Sequence, residues 1–394
     1  MLRDFSIIFA LAACCLAQDE KPAPTIPELE TASQAAYMKG DYENAHQQLL
    51  QAWDLAQMLP PEDTLRYDVL KRLTTVRYAM GEFADADKYL QMAISWREET
   101  LGPNDPKTVD DVLLSVAYAR GQKDYDRAMA IMSRVLSMHL AINRAAGSPP
   151  GEAMTSISVA DDFSRMALID AEMANHDLTK LALAEGALTT ALGIRTKILG
   201  PLDPSLVFDL DRMGGLQVGL REYGKAEATY RHALVIRETL YGKSDADLIA
   251  TLDGLAYSLF GEKKYDEAEP VYQRFLELWI NSTGDPKHPM VAAALDKIAV
   301  FYSAQKKWDE ARDALTRANA IRAFLLADGL SNEASEHMDE GKMADAVPVY
   351  QHALKVLDPP NPIYDEQRAQ IDGMEKELEK VLKKPPSATP LRKK

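Results

Sequence analysis

The side chains that most often do chemistry in proteins show none of the spacings that catalysis or metal binding requires. The chain lacks a His-Glu-x-x-His motif, a Cys/His ligand pattern, a Gly-rich phosphate loop and a Gly-x-Ser-x-Gly nucleophile elbow. Its seven histidines are scattered at His46, His139, His176, His232, His288, His337 and His352. We therefore expect no enzyme, no cofactor and no bound metal.

The cysteines and the paired acidic residues are equally poor candidates for a reactive site. Cys14 and Cys15 are adjacent near the N-terminus, so no disulfide framework can hold the body of the chain. Asp110/Asp111 and Asp161/Asp162 are sequence neighbours, and neighbours point to different faces of a helix. Neither pair can form a catalytic carboxylate pair by itself. The fold must be held by packing.

Composition and charge narrow the class of partner. The 394 residues are 46% hydrophobic, which is enough to bury a sizeable core. Asp and Glu number 60 against 45 Lys and Arg, for a formal net charge of −15. That charge repels phosphate backbones, so nucleic acid is not an expected partner.

The N-terminal segment is typical of an export signal. Phe5–Ala17 is an apolar run too short to span a bilayer, so residues 1–17 are predicted to be a signal peptide. Two processing routes fit: cleavage before Gln18, or acylation of Cys14, because Leu11–Cys14 resembles a bacterial lipobox. The protein is then periplasmic or a membrane-anchored lipoprotein, or alternatively secreted. Residues 18–27 are Pro-rich and polar, as in a linker.

A repeat of about 42 residues runs through the body of the chain. A large side chain followed three residues later by alanine recurs at Tyr42/Ala45, Phe83/Ala86, Tyr125/Ala128, Tyr223/Ala226, Tyr265/Ala268 and Trp308/Ala311. The interval between Ala128 and Ala226 is longer than two repeats. It has room for a further repeat at Ala184 and for an insertion over residues 142–155, where Gly and Pro cluster. A shorter final repeat places Ala346 in the same frame. We call these eight residues the frame alanines.

Positions not used to find the frame support it. Four residues after the frame alanines stand large side chains at Leu49, Leu90, Met132, Leu188, Tyr230, Tyr272, Leu315 and Tyr350. Seven residues after them stand Ala52, Ala93, Val135, Ala191, Ala233, Phe275, Ala318 and Ala353. Offsets of four and seven share one helical stripe, and a second helix with the same periodicity precedes it. Each repeat is therefore predicted to be a helix pair.

These helix pairs resemble tetratricopeptide repeats, and the 42-residue units are similar to those of kinesin light chains. The Leu-Gly and Pro residues that separate the repeats of that family appear at Leu101–Pro103, Leu199–Pro201 and Gly284–Pro286. The resemblance implies an all-α, right-handed superhelical solenoid of about eight repeats over residues 28–357. A charged helix over 362–384 is predicted to cap it, and 385–394 to be a disordered tail.

The resemblance also implies a concave groove that binds a segment of a partner protein. By family register the groove residues are Phe208, Asp211, Val218, Asp253, Tyr257, Phe260, Asp296, Val300 and Ser303. The three aspartates recur at one position of successive repeats, so a basic or amphipathic segment is the expected complement. The asparagine that commonly holds the peptide main chain in kinesin-light-chain-like repeats is replaced here by Gly254 and Lys297. The lysine and asparagine clamp of carboxylate-binding relatives is also absent from the matching positions.

Two hypotheses for the function follow. The first is a non-catalytic scaffold or adaptor in the cell envelope or periplasm that binds a partner segment in the groove. The alternative is a lipid-anchored outer-membrane assembly factor that acts by oligomerisation or within a multiprotein complex. The alternative requires an acylated Cys14, and neither hypothesis identifies the partner.

Overall fold

The structure, a computed structural model, describes residues 23–149, 152–175 and 177–383, and within these ranges its regular elements are all helical. The signal segment, Cys14 and the predicted tail lie outside them. The α-helices are α1 Ile26–Met38, α2 Tyr42–Ala56, α3 Thr64–Ala79, α4 Phe83–Thr100, α5 Pro106–Gly121, α6 Tyr125–Ala145, α7 Ile157–Ala174, α8 Leu178–Leu199, α9 Val207–Gly219, α10 Tyr223–Tyr241, α11 Ile249–Gly261, α12 Tyr265–Thr283, α13 Pro289–Ala304, α14 Trp308–Asp339, α15 Met343–Val356 and α16 Asp365–Lys383. Short 3₁₀ turns, Pro204–Leu206 and Ala246–Leu248, lead into α9 and α11.

The chain divides into two compact bodies, Met1–Asn175 and His176–Lys394. The N-terminal body holds α1–α7, and the C-terminal body holds α8–α16. Within each body consecutive helices pack on one another, which confirms the all-α solenoid architecture that the repeat predicts. The division falls between the two helices of repeat 4.

In four repeats an aspartate in the linker caps the first helix or the 3₁₀ turn that leads into it. The side chains of Asp63, Asp105, Asp203 and Asp245 each accept a hydrogen bond from a backbone N–H two residues later. Such caps satisfy one of the donors that a helix start leaves without an intrahelical partner. The linker aspartates therefore set where these four repeats begin.

The frame alanines form the packing seam of every repeat. Seven of the eight have no exposed surface and Ala311 is only 3% exposed, because a methyl group lets the two helices of a repeat approach closely. The large side chains four residues later are buried as well, with one exception. Leu315 is 43% exposed, and Ala314 takes the buried place on α14.

The last two repeats share a helix. Repeat 8 follows repeat 7 after only 35 residues, which leaves no room for a Gly/Pro linker. The second helix of repeat 7 therefore runs on into the first helix of repeat 8 as α14, which is 32 residues long. α16 packs on α15 and α14 through Ile371 and Leu378.

The segment over residues 142–155 is only partly a loop. Its first four residues extend α6 to Ala145. Asn143 then ties the turn to the next repeat, because its amide Nδ2 donates to Ala153 O and to Ser156 Oγ, each at 2.9 Å. Ser156 is the N-cap of α7.

Candidate partner-binding surface

The nine predicted groove residues all lie on the first helices of repeats 5, 6 and 7, which are α9, α11 and α13. We call this set the groove face. Its most exposed members are apolar: Phe208 is 63% exposed, Tyr257 46% and Val300 61%. Large apolar side chains left in solvent along one surface mark a protein-interaction site more often than scattered ones do.

The three groove aspartates are not free charges. Arg237 of α10 pairs with Asp211, Lys297 of α13 pairs with Asp253 at 2.6 Å, and Arg322 of α14 pairs with Asp296. Each carboxylate thus has a cationic partner within the C-terminal body. A basic partner segment would have to displace these cations, so its attraction to the three aspartates is weaker than the sequence predicts.

Val218, Phe260 and Ser303 lie deeper than the exposed apolar residues. The Phe260 ring packs edge-on against Tyr257 and Phe301, with ring centroids 6.2 and 6.1 Å apart. Val218 packs against the same hydrophobic cluster. Tyr257, Phe260 and Phe301 form an aromatic row, and Tyr257 is its exposed end.

Gly254 makes room for a tyrosine. A Cβ at Gly254 would stand 2.2 Å from the Tyr230 ring, and one at Gly214 would stand 2.5 Å from it. The ring therefore occupies space that side chains on α9 and α11 would need, and burial with the nearby charges of Asp211 and Asp253 raises the pKa of Tyr230 to about 12. An asparagine at Gly254 is excluded while Tyr230 keeps this position.

A cavity of about 570 Å³ opens beside the groove face. It lies between α11 and α13, with side chains of α12 forming part of its wall. Its lining residues are Arg237, Ala246, Asp247, Ile249, Ala250, Asp253, Phe275, Trp279, Ser282, Met290, Ala293, Ala294 and Lys297. The groove prediction includes only Asp253 of this set. Phe275 could have pointed to this site from the sequence, since it replaces the alanine found at six of the eight equivalent positions.

The polar groups of the cavity balance in charge. Arg237 and Lys297 contribute two positive charges, while Asp247 and Asp253 contribute two negative ones. The Lys297–Asp253 ion pair is half-exposed at the rim. The remaining lining is mostly apolar, so the cavity suits a neutral group better than an ion.

Two further properties concern the described part of the chain. Residues 23–149, 152–175 and 177–383 contain no group of three or more His, Cys, Asp or Glu side chains arranged to hold a metal ion. None of the helices in these ranges combines the length and apolar character that a bilayer-spanning segment needs.

Comparison with known proteins identifies the repeat. Two tetratricopeptide repeat family models match, one over residues 73–107 and one over residues 247–323. The second match contains α11–α13 and nearly the whole cavity lining. No curated protein matches the chain.

Solved structures with similar helical arrangements include several repeat proteins. BtubC (BKLC) from P. vanneervenii is 21% identical, with a TM-score of 0.47, over 65% of this chain and 92% of that one. The C-terminal part of a TPR repeat-containing protein from Cytophaga hutchinsonii is 13% identical, with a TM-score of 0.48, over 73% and 93%. A Rap protein complexed with Competence and Sporulation Factor is 14% identical, with a TM-score of 0.39, over 91% and 98%.

Proposed function

We propose that this tetratricopeptide repeat protein is a non-catalytic scaffold that captures a segment of a partner protein on the groove face of repeats 5–7. The observation that carries the proposal is the exposure of Phe208, Tyr257 and Val300 on the first helices of three successive repeats. Stacked helix pairs offer such faces to peptides and helices of other proteins.

The ion-paired aspartates refine the kind of partner. Because Asp211, Asp253 and Asp296 are already paired with cations of the same body, apolar contacts supply most of the binding free energy. An amphipathic segment therefore fits the groove face better than a purely basic one. The polar side of such a segment can meet the charged pairs at the rim.

Photo-crosslinking in the native host tests this proposal and identifies the partner in the same experiment. p-Benzoylphenylalanine at Tyr257 or Val300 should give a discrete covalent adduct that mass spectrometry can identify. The same residue at Val235, which is exposed on α10 outside the groove face, is the control. Equal adducts from Val235 and the groove positions, or none from the groove positions, would contradict the proposal.

We also propose that the protein is exported, because the apolar run Phe5–Ala17 is typical of a signal peptide. Intact-mass and N-terminal analysis of membrane and soluble fractions distinguishes the two routes. An acylated Cys14 supports the lipid-anchored assembly factor, and an N-terminus at Gln18 supports a periplasmic or secreted adaptor. An unprocessed Met1 would exclude both.

A further inference from the structure

A polar contact recurs at the junctions between successive repeats. It joins the residue eleven positions after a frame alanine to the residue six positions after the N-cap of the next repeat. In the N-terminal body, Arg97 Nη1 lies 3.0 Å from Asp111 Oδ2, and His139 Nδ1 lies 2.7 Å from Asp162 Oδ2. We call this pair of positions the junction contact.

The C-terminal body repeats the junction contact twice. Arg195 pairs with Asp209 between repeats 4 and 5. Arg237 donates to Thr251 Oγ1 between repeats 5 and 6, and that hydroxyl donates in turn to Asp211 Oδ1 at 3.0 Å. The accepting residues at all four junctions are at most 3% exposed. A buried polar group of this kind needs its partner, so both positions are constrained together.

At the junction of repeats 6 and 7 the same two positions are apolar. They hold Trp279 and Ala294, and both line the 570 Å³ cavity. The loss of polarity does not by itself open a cavity. The first junction has Ala56 and Val69 at these positions, and both are fully buried in a hydrophobic cluster. The junction of repeats 6 and 7 differs because Trp279 and Ala294 themselves line open space, whereas Ala56 and Val69 do not.

We propose that this cavity receives one large apolar side chain, aromatic or aliphatic, from the captured partner segment. This inference rests on the proposed function and names the chemistry that the groove face selects. Phe275, Trp279 and Met290 provide the broad apolar contacts, and Ala250 and Ala293 keep the space open. Aromatic and thioether groups pack well against side chains of different shapes.

The lining favours this occupant, and the volume of the cavity admits it. The volume lies in the range of small-molecule sites, so the largest natural side chain can enter without displacing the lining residues. Arg237 and Lys297 are already paired with Asp211 and Asp253, so an anionic anchor would lose water without finding an unpaired cation. Asp247 is exposed, so pairing with it would return little of the desolvation cost of a cationic anchor. Burial of a phenylalanine-sized group should strengthen binding by about 10- to 100-fold relative to alanine at the same place in the segment.

A side-chain analogue tests the cavity directly. The full chain is labelled with [methyl-¹³C]methionine, and the Met290 resonance is identified by its loss in Met290→Leu. N-acetyl-phenylalaninamide should shift the Met290 resonance in a saturable way, whereas N-acetyl-lysinamide at the same concentration should not. No shift, or an equal shift with both amides, would overturn the inference.

Two variants close the cavity in different ways. Ala250→Leu places a larger side chain at an exposed cavity position, and Ala182→Leu on α8 is its matched control because Ala182 is exposed outside the lining. Trp279→Arg with Ala294→Asp installs the junction contact found between repeats 4 and 5. Both cavity variants should keep their helicity and lose at least 10-fold in affinity for N-acetyl-phenylalaninamide, while Ala182→Leu should bind it normally.

The same variants separate this inference from the proposed function. If p-benzoylphenylalanine at Val300 captures a partner and Ala250→Leu leaves that adduct undiminished, the cavity assignment is wrong and the scaffold stands. If no groove position captures a partner, the scaffold proposal fails, and the Met290 titration still decides whether the cavity binds apolar side chains. A small apolar molecule that stays bound in native mass spectra of the purified chain would overturn a partner side chain as the occupant.

Discussion

At the scale of the residue, Gly254 stands where kinesin-light-chain-like repeats commonly carry an asparagine that holds a peptide, and here the position serves packing. The Tyr230 ring fills the space that a side chain at Gly254 would need, so Gly254→Ala must displace that ring or shift α11. We expect a loss of about 1–3 kcal/mol in the free energy of unfolding, measured by urea denaturation. Gly193→Ala on α8 is the control, since no atom stands within 4 Å of its added methyl group. That control should stabilise the helix by up to about 1 kcal/mol, and equal losses in both variants would contradict the packing explanation.

Asp253 and Tyr257 test the groove face itself. Asp253→Lys places a second cation beside Lys297, and Tyr257→Ala removes the exposed end of the aromatic row. Tyr257→Ala should abolish partner capture and Asp253→Lys should weaken it, while helicity and the melting temperature stay close to those of the wild type, because both side chains are partly or largely exposed. Capture that disappears only in variants that also unfold would show that these residues act through the fold.

His46 gives the N-terminal body a predictable pH dependence. Burial, followed by the nearby Arg77 charge, lowers the pKa of His46, and the neutral ring accepts a hydrogen bond from Arg77 Nε at 3.1 Å. The unfolded chain then binds this proton more tightly than the folded chain. The stability that His46 contributes is present above its unfolded pKa of about 6.5 and is lost as the pH falls.

The measurement is chemical denaturation between pH 7.5 and 5. His46→Gln keeps a hydrogen-bond acceptor but cannot titrate, so its free energy of unfolding should fall less steeply over this range than that of the wild type. Identical slopes would show that other groups govern the acid side. His352→Gln, an exposed site on α15, serves as the matched control.

At the scale of the element, the turn inside every repeat except repeat 4 has a left-handed residue five positions before the frame alanine. Gly40, Gly81 and Gly341 adopt this conformation freely, whereas Lys123, Arg221, Lys263 and Lys306 adopt positive φ despite their side chains. Lys263→Gly should therefore raise the free energy of unfolding by about 0.5–1 kcal/mol, as measured by thermal and urea unfolding. The reverse change in repeat 2, Gly81→Lys, should cost a similar amount. A loss of stability in Lys263→Gly would show that its side chain contributes more than the turn strain costs.

Helix pairing was predictable from the sequence, whereas the contacts of the groove were not. The frame alanines identified the seam because a close helix approach tolerates few other residues, as at Ala226 and Ala268. Leu315 departs from the pattern because sequence periodicity predicts which residues share one side of a helix, but not how far that helix is rotated about its own axis. The pairing of Asp253 with Lys297 depends on side chains 44 residues apart, and a repeat alignment treats each position separately.

At the scale of the whole molecule, stability should be local to each body. Separate hydrophobic clusters fill the two bodies, with Leu90 buried in the first and Phe301 in the second. In repeat architectures each unit is stabilised mainly by its neighbours, so a defect weakens nearby repeats most. Leu90→Ala should cost about 2–5 kcal/mol by leaving a cavity beside α4.

Hydrogen exchange read by peptide mass spectrometry resolves where that cost appears. Leu90→Ala should accelerate exchange across α3–α6 and leave the protection of α11–α14 unchanged. Met92→Ala on the same helix is the control, because Met92 is 42% exposed and its loss should leave both regions as in the wild type. A uniform increase over both bodies would show that the chain unfolds as one cooperative unit. Confinement to the N-terminal body would mean that the groove face and its cavity can keep their geometry while the other body opens.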